Sequence, residues 1–419
     1  MREKVVVVGQ GYVGLPVAMR AVDVGFDVVG LDCDKFRVDE LREARSYVGD
    51  VASSAIRTAL SSGRYLPTTD YADAAEFDVA VITVPTPLRE TLPDLSFIED
   101  AAAALAASLT PGATVVLEST TYPGTTEELL VPILERHSGL RAGRDFHVGY
   151  SPERIDPGNQ QWGFVETPKV VSGVDPASLA AVQSFYDALV DQTVPVTTPR
   201  EAELTKLLEN TFRHVNIALV NELAVFAHQL NINIWEAIDA ASTKPFGYLR
   251  FTPGPGVGGH CLPVDPSYLS WQVRRQLGQT FRFVELANDV NDHMPHYVVQ
   301  RVTRLLNDAG RAVRGSRIML VGLAYKRNTG DIREAPSLKL IELLLELGAV
   351  VCGADPYVEP HRWPAAVEPR PLTAETIAEA DLVLVVTDHE DFDHQLLCDA
   401  DVPVFDTRNC LPERSAHTL

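Results

Sequence analysis

A glycine-rich turn between two apolar runs constrains the fold of this chain more than any other feature of its sequence. The run at residues 5–8 is followed by Gly9, Gly11 and Gly14 in the spacing G-x-G-x-x-G, and then by a helical pattern. A continuous apolar run that ends in glycine is typical of a strand buried on both faces of a parallel sheet. Asp32 ends the next apolar run, 18 residues after Gly14. The pattern therefore predicts the βαβ unit of a dinucleotide-binding fold.

The same turn predicts which dinucleotide binds. Glycines allow the backbone to approach a pyrophosphate at the N-terminus of the first helix, and the predicted binding loop includes Tyr12 and Val13. The carboxylate of Asp32 accepts hydrogen bonds from the adenosine ribose and disfavours a 2′-phosphate, so we expect NAD rather than NADP. The alternative interpretation is a tight strand–helix turn with a capping aspartate.

Strand and helix patterns alternate in both ends of the chain but not in its middle. The alternation extends to about residue 200 and resumes after Arg314. Residues 201–230 contain no glycine or proline, and as one helix they span roughly 45 Å at ~1.5 Å per residue. We therefore expect an α/β protein in which two Rossmann-like α/β domains are joined by a central helical domain with a long connecting helix. The predicted domains are 1–200, 201–300 and 301–419.

Composition and charge argue against several classes of partner. The net charge is −21, from 36 basic and 57 acidic side chains, which disfavours binding to nucleic acid or to an anionic membrane. No apolar run is long enough to span a bilayer, and the N-terminus lacks the pattern of a signal peptide. The five cysteines are scattered without metal-ligand spacing, so we expect free thiols, no metal site and a cytoplasmic location.

A second unusual segment, PGPGVGGHCLPVD at residues 253–265, holds four glycines and one cysteine, Cys261. We expect a constrained loop whose backbone comes close to a ligand, because glycine and proline disfavour regular structure. Its thiol is either incidental or a nucleophile, and the loop alone leaves both open. Lys206 and Asn210 lie four residues apart on one face of the long helix, where they either stabilise an oxyanion or face solvent.

Seven motifs run from the N-terminus to past residue 335, and two of them follow predicted strands at the edge of a parallel sheet, where ligands bind. They are GQGYVGL, VPTP, ESTTYPGTT, SPER, AELTKLLENT, PGPGVGGHCLPVDP and GLAYKRNTGDIREAPS. In these motifs the sequence resembles the UDP-glucose/UDP-N-acetylhexosamine dehydrogenase family, the nucleotide-sugar 6-dehydrogenases. The resemblance implies NAD binding by residues 1–200, homodimer formation through 201–300 and nucleotide-sugar binding by 301–419.

The resemblance also implies a four-electron oxidation of the C6 alcohol of a UDP- or dTDP-linked hexose by two NAD. Cys261 would capture the intermediate aldehyde as a thiohemiacetal, which a second oxidation converts to a thioester. Lys206 and Asn210 would stabilise the oxyanions, and Asp265 would position or activate the water that cleaves the thioester.

The resemblance assigns further residues by matching position. Glu153 would assist proton transfer during hydrolysis, and Thr120 would hold a water or the C6 oxygen near the nicotinamide. The implied cofactor-binding residues are Gly9, Gly11, Tyr12, Val13, Gly14, Asp32, Lys35, Thr86, Glu118 and Arg333. The implied substrate-binding residues are Glu153, Lys206, Asn210, Arg250, Gly258, Tyr325 and Lys326.

The sequence leaves the sugar open. UDP-glucose members carry a second glutamate where this chain has Pro157, a small residue where it has His260, and lysine where it has Val264. These differences resemble the branch that acts on UDP-N-acetylglucosamine or UDP-N-acetylmannosamine. Two other functions also stay open: a two-electron Rossmann dehydrogenase of the hydroxyacid or 6-phosphogluconate type, and a catalytically silent NAD-binding sensor.

Overall fold

The computed structural model describes residues 3–89, 92–155, 159, 161–259, 261–412 and 416–419 of the 419-residue chain. Pro157 and His260 lie outside the described residues, as does the side chain of Cys261. The chain divides into two units, Met1–Glu209 and Asn210–Leu419. The sequence predicts three domains, whereas this division groups most of the central helices with the C-terminal α/β portion.

The first unit is built on a mainly parallel sheet. Its described strands are β1 (Lys4–Val8), β2 (Asp27–Leu31), β3 (Tyr65–Thr68), β4 (Val79–Ile82), β5 (Leu88–Arg89), β6 (Leu92–Pro93), β7 (Thr114–Leu117), β8 (His147–Tyr150), β9 (Lys169–Gly173) and β10 (Thr193–Pro195). Eight of them form one sheet in the order β10-β9-β8-β7-β4-β1-β2-β3, and β5 pairs with β6. Within this sheet the predicted parallel arrangement is confirmed for the six neighbouring strands β8, β7, β4, β1, β2 and β3. The next pair, β8 and β9, is antiparallel. The described part of the connection between β8 and β9 contains no helix, so it lacks the crossover that a parallel pair needs.

Helices of the first unit cover both faces of this sheet. They are α1 (Gly14–Asp23), α2 (Lys35–Arg42), α3 (Ser53–Ser61), α4 (Ser96–Ala106), α5 (Val131–Ser138) and α6 (Pro176–Asp187), with a 3₁₀ turn at Tyr71–Ala74 and a π turn at Thr126–Leu130. Val5 and Val7 of β1 pack in one buried cluster with α1 and α6, and Val6 and Val8 pack in another with α4. Successive side chains of a strand point to opposite faces, so burial of both faces explains the continuous apolar run of β1.

A helix of 31 residues, α7 (Pro199–Gln229), contains the boundary between the two units. It confirms the long helix predicted over residues 201–230. A proline is compatible with its first position, because the first N–H groups of a helix have no intrahelical acceptor. Neither α7 nor any other helix of the described residues is long and apolar enough to cross a membrane.

The second unit continues with helices and then repeats the strand–helix alternation. Its described helices are α8 (Ile234–Ser242), α9 (Cys261–Leu277), α10 (Arg282–Asp308), α11 (Pro336–Glu346), α12 (Ala374–Ala378) and α13 (His394–Cys398), with a 3₁₀ turn at Pro360–Arg362. Its described strands are β11 (Arg317–Val321), β12 (Val350–Ala354), β13 (Glu368–Pro369), β14 (Leu382–Val385), β15 (Val404–Asp406) and β16 (His417–Thr418). They form a parallel sheet in the order β13-β12-β11-β14-β15-β16, which confirms the predicted second α/β fold. Gly322 after β11 repeats the conformation of Gly9 after β1, with φ of 82° against 93°.

Helix α9 differs from the expectation that residues 253–265 form one loop. The helix begins at Cys261, so the irregular part ends before the cysteine. Pro263 is compatible with helix here because it lies in the first turn, where a missing N–H breaks no intrahelical bond. Cys261 therefore stands at a helix N-terminus rather than within a loop.

Candidate active site

The turn between β1 and α1 depends on glycines at two positions for different reasons. Gly9 has φ of 93°, and its N–H donates to the Leu31 carbonyl oxygen at 2.7 Å. A Cβ on Gly14 would lie 1.8 Å from the Gly9 oxygen, whereas a Cβ on Gly11 would lie 3.9 Å from its nearest neighbour, Arg37 Nη1. Gly14 is thus required by the packing of α1, and Gly11 leaves the N-terminus of α1 open to a pyrophosphate. The residues of this turn fit a bound dinucleotide.

Asp32 follows β2 and is hydrogen-bonded within the protein. Its carboxylate accepts from the Gln10 N–H at 2.8 Å and from the Asp34 N–H at 2.9 Å, and it lies 3.4 Å from Arg37 Nη1. Lys35, which the family resemblance implies as a cofactor-binding residue, is the first residue of α2, and Arg37 of the same helix contacts the Asp32 carboxylate. The signal that identifies Arg37 is Asp34, which caps α2 and so fixes where the helix begins.

Glu118, predicted to bind the cofactor, takes part in an internal ion pair. It is fully buried after β7, contacts Lys169 Nζ and accepts a hydrogen bond from Tyr186 Oη at 2.7 Å. Burial raises the pKa of Glu118, and the Lys169 ammonium opposes that rise. Other candidates lie near the turn or the sheet edge: Tyr12 is half-exposed, Val13 directly precedes α1, Thr86 is buried after β4, and Thr120 is half-buried after β7.

Lys206 and Glu153 meet through a backbone oxygen. Both side chains are buried, and Lys206 Nζ donates to the Glu153 carbonyl oxygen at 2.5 Å. Glu153 Oε1 accepts from the Ile155 N–H, and Glu153 Oε2 is buried without a hydrogen-bond partner among the described residues. The loop is anchored by Arg154, which pairs with Glu209 at 2.7 Å. A buried carboxylate with an unused oxygen has the capacity to exchange a proton with a bound substrate.

In the second unit, Asn210 and Asp265 form a buried hydrogen bond. Asn210 Nδ2 donates to Asp265 Oδ2 at 2.5 Å, and the two side chains are 6% and 2% exposed. Asn210 lies one turn after Lys206 in α7, as predicted, and Asp265 lies one turn after Cys261 in α9. Two of the predicted catalytic residues are therefore in direct contact, and one of them belongs to the helix whose first residue is the cysteine.

The glycines of the cysteine-containing segment are required by a neighbouring segment of the same unit. A Cβ on Gly258 would lie 2.6 Å from the Glu334 carbonyl oxygen, and one on Gly259 would lie 2.8 Å from the Tyr325 ring. The Gly259 N–H donates to the Arg333 carbonyl oxygen at 3.0 Å. The sequence predicts that this backbone approaches a ligand, and in the structure it also approaches the GLAYK-containing motif closely. The cysteine-containing motif and the GLAYK-containing motif thus pack against each other.

The predicted cations of the second unit differ in their surroundings. Two are held in ion pairs, Arg250 with the exposed Asp239 at 2.7 Å and Arg333 with the largely buried Asp331 at 2.6 Å. Lys326 is half-buried in the loop after β11. Arg408, which is not among the predicted site residues, follows β15 and donates from Nε to the Val386 carbonyl oxygen at 2.6 Å. Its position at the carboxyl end of a parallel strand, where ligands bind, is the signal that identifies it.

Three successive parts of the chain match one enzyme family. Residues 3–190 match the NAD binding domain, residues 200–293 the central domain and residues 319–413 the UDP binding domain of the UDP-glucose/GDP-mannose dehydrogenase family. The chain belongs to this family. It is an NAD-dependent nucleotide-sugar 6-dehydrogenase, so the predicted family, activity and cofactor are confirmed.

Individual relatives extend over almost the whole chain. A UDP-N-acetyl-D-mannosamine dehydrogenase of Pyrococcus horikoshii is 36% identical, over 93% of this chain and 90% of the relative. An NDP-N-acetyl-D-galactosaminuronic acid dehydrogenase of Ralstonia solanacearum is 37% identical, over 92% and 90%. The solved structure of a UDP-D-ManNAc dehydrogenase from Pyrococcus horikoshii superimposes with a TM-score of 0.90 at 32% identity, covering 99% of this chain and 98% of that one. A UDP-glucose dehydrogenase from Pyrobaculum islandicum gives 0.89 at 28% identity, covering 100% and 97%.

Proposed function

We propose that this dehydrogenase oxidises the C6 alcohol of a UDP-linked N-acetylhexosamine to the uronate, with Cys261 as the nucleophile. The choice of sugar is supported by the two relatives named for N-acetylated sugars. Three positions at which the chain differs from UDP-glucose members point the same way: Pro157, His260 and Val264. The observation that carries the proposed mechanism is that Asp265, one helical turn after Cys261, is hydrogen-bonded to Asn210.

The proposed reaction removes four electrons in two steps. In each oxidation NAD, when bound, accepts a hydride from C6 of the sugar. The first oxidation releases a proton and gives an aldehyde, to which the Cys261 sulfur adds to form a thiohemiacetal. The second oxidation releases another proton and gives a thioester, and water then cleaves the bond between C6 and sulfur. One alcohol, two NAD and one water are consumed, and one carboxylate, two NADH and three protons are formed.

The chain's own residues have distinct roles in this scheme. The N-terminus of α9 favours the thiolate form of Cys261, because a helix N-terminus carries a partial positive charge. Lys206 and Asn210 supply an ammonium and an amide N–H to the oxyanions that form at C6. Asp265 orients the attacking water and accepts its proton, and Glu153 assists that transfer through its unpartnered oxygen.

Binding of the cofactor and of the sugar nucleotide is assigned to separate sets of residues. Gly9, Gly11, Gly14 and Asp32 bind the pyrophosphate and adenosine ribose of NAD, with Arg37 beside the carboxylate. The other cofactor contacts are Tyr12, Val13, Lys35, Thr86, Glu118 and Arg333. Thr120 holds a water or the C6 oxygen, and the nucleotide sugar is bound by Glu153, Lys206, Asn210, Arg250, Gly258, Tyr325 and Lys326, with Arg408 as a further donor to its diphosphate.

A homodimer formed through α7 is the second part of the proposal. Five large apolar side chains of this helix are 44–63% exposed: Leu208, Phe212, Leu219, Leu223 and Phe226. At ~100° per residue they lie within an arc of roughly 60°, so they form one stripe, here called the α7 stripe. An apolar stripe of this length on one side of a helix is typical of an interface with another chain.

The proposed location is the cytoplasm. The cysteines whose side chains are described, Cys33, Cys352, Cys398 and Cys410, are free thiols. Free thiols are typical of a reducing compartment.

A panel of nucleotide sugars tests the choice of substrate. The purified enzyme is given NAD with UDP-N-acetylmannosamine, UDP-N-acetylglucosamine, UDP-N-acetylgalactosamine, UDP-glucose or dTDP-glucose, and NADH formation is followed. We expect kcat/KM for one N-acetylated sugar to exceed that for UDP-glucose by about tenfold or more. A preference for UDP-glucose would show that the sugar is wrongly assigned, and tight NAD binding without NADH from any sugar would favour the sensor.

A further inference from the structure

Glu203 is a fully buried carboxylate on α7 that the proposed mechanism does not use. Its side chain accepts hydrogen bonds from the Gly124 N–H at 2.5 Å, the Thr126 N–H at 2.8 Å and the Thr126 hydroxyl at 2.7 Å. Thr126 begins the π turn that leads into α5, so the carboxylate lies at the start of a helical segment, where N–H groups lack an intrahelical acceptor. Glu203 thus satisfies groups that would otherwise be buried without a partner.

The loop that Glu203 holds is the one that carries Thr120. Within this loop the hydroxyls of Thr121 and Thr125 share a hydrogen bond of 2.6 Å, and Thr125 Oγ1 donates to the Tyr122 carbonyl oxygen at 2.8 Å. These internal bonds stiffen the loop but do not attach it to α7. The buried attachment to α7 comes from Glu203, whose partners lie 77 and 79 residues earlier in the chain. An exposed attachment follows it in the π turn, where Glu127 and Glu128 pair with Arg200 of α7.

One turn of α7 therefore fixes two loops at the carboxyl edge of the first sheet. Glu203 holds the Thr120 loop, and Lys206, three residues later in the same helix, holds the Glu153 loop through its bond to the Glu153 carbonyl oxygen. All of these groups belong to the first unit. The spacing of the two anchors along the helix sets the spacing of the two loops.

We infer that Glu203 is a positioning residue for the dehydrogenase reaction, whose ionised carboxylate fixes Thr120 relative to Lys206. The inference rests on the proposed roles of Thr120 and Lys206. Glu203 itself acts through the loop, and contacts neither substrate nor cofactor in this account.

Protonation of Glu203 weakens this attachment. Burial raises the pKa of Glu203 to about 7, although the hydrogen bonds from Thr126 and Gly124 act in the opposite direction. The charged groups nearby are Glu127 and Glu128 in the π turn and Arg200 on α7, which pairs with both of them at 2.6 and 2.8 Å. A protonated carboxyl turns one acceptor oxygen into a donor, so the Thr120 loop is held less firmly as pH falls below about 7.

Glu203→Gln tests the inference with little change in side-chain size. The amide replaces one acceptor oxygen by a donor, so at least one N–H of the loop loses its partner. We expect kcat to fall about tenfold or more at saturating NAD and sugar, with the dissociation constant of NAD unchanged. The decrease in kcat below about pH 7 that we expect from protonation of Glu203 in the wild-type enzyme should be absent in this variant. Glu201→Gln, the same change at an exposed glutamate of α7, serves as the matched control and should leave all three quantities unchanged.

Hydrogen exchange at the Gly124 and Thr126 amides provides a readout that needs no substrate. In Glu203→Gln we expect both amides to exchange about tenfold faster or more, and in the milder variant Thr126→Val, which removes one of the three bonds, we expect a smaller acceleration. Because exchange is measured on the enzyme alone, a failure of the proposed function does not affect it. Unchanged exchange, a smaller fall in kcat or an unaltered decrease in kcat at low pH would overturn the inference.

Discussion

The side-chain amide of Asn210 donates a hydrogen bond of 2.5 Å to the buried carboxylate of Asp265, although the two residues are 55 positions apart in the chain. The bond links α7 to the first turns of α9, the helix that begins at Cys261. An amide has two N–H groups, so Asn210 orients Asp265 with one of them and has a second to offer to an oxyanion. This pair connects the orientation of the proposed water-activating carboxylate with the stabilisation of charge on the substrate.

Asn210→Ala should therefore lower kcat about 100-fold, since loss of one oxyanion donor has an effect of this size. The free energy of unfolding should also fall, by about 1–3 kcal/mol, because the buried carboxylate loses a donor. Steady-state kinetics and thermal unfolding measure the two effects. The exchanged double variant Asn210→Asp with Asp265→Asn restores an amide–carboxylate bond, so we expect it to recover stability but not kcat. Recovery of full activity would show that the two positions are chemically equivalent, against their assigned roles.

Gly11 and Gly14 should respond differently to the same substitution. Gly11→Ala places Cβ 3.9 Å from its nearest described neighbour beyond the adjacent residues, Arg37 Nη1, so the fold should be unaffected while the added methyl hinders the approach of a pyrophosphate. Gly14→Ala places Cβ 1.8 Å from the Gly9 oxygen and should destabilise the first unit. Calorimetric titration with NAD and thermal unfolding separate these outcomes. Normal NAD affinity in Gly11→Ala would show that the pyrophosphate does not bind at this turn.

The α7 stripe should determine the oligomeric state. Leu223→Asp combined with Phe226→Asp puts two charges into the proposed interface, where they are costly to bury without partners. We expect light scattering to give twice the chain mass for the wild-type protein and the mass of one chain for this variant. Leu66→Asp, on β3, changes a leucine of similar exposure, 47% against 44% for Leu223, and should leave the mass unchanged. A monomeric wild-type protein would rule out the interface.

Ionisation of Glu203 should lower the free energy of unfolding as pH rises. Its pKa in the folded protein is about 7, above the ordinary value of 4.5, so the folded state binds this proton more tightly than the unfolded state does. The stabilisation is complete below about pH 4.5 and is lost as pH rises through about 7, to a total of about 3 kcal/mol. Protonation thus stabilises the fold by removing a buried charge, while it loosens the Thr120 loop.

Chemical denaturation of the wild-type protein and of Glu203→Gln at several pH values measures this contribution. The excess stability of the wild-type protein over the variant should decrease between about pH 5 and pH 8. Other carboxylates titrate equally in both proteins and cancel in the difference. A difference independent of pH would mean that Glu203 titrates at its ordinary value.

The fold could be predicted largely from local patterns. The run at residues 5–8 indicates a strand buried on both faces because both clusters that cover β1 are apolar, and the absence of glycine and proline indicates α7. The sequence does not predict that α9 begins at Cys261, because Pro263 and Pro266 both disfavour a helix interior. Pro263 lies in the first turn, where it breaks no intrahelical bond, and Pro266 lies inside the helix, so local pattern fails at this segment.

Contacts between distant residues were the other part that the sequence could not supply. The sequence places Asn210 and Lys206 on one face of a helix but does not predict their hydrogen-bond partners. Asn210 donates to Asp265 and Lys206 donates to the Glu153 carbonyl oxygen, and these partners come from two different segments. The sequence does not predict the contact between Arg37 and Asp32, because that contact depends on where α2 begins. Such contacts are set by the packing of elements, which leaves no periodic signal in the chain.

The number of NADH molecules formed per nucleotide sugar consumed tests the central claim most directly, namely that Cys261 holds the half-oxidised sugar between two oxidations. For the wild-type enzyme we predict two NADH and one carboxylate per sugar. For Cys261→Ser we predict no carboxylate and at most one NADH, because the aldehyde is no longer captured as a thiohemiacetal. One NADH per sugar from the wild-type enzyme, or carboxylate formed at an undiminished rate by Cys261→Ser, would contradict the account.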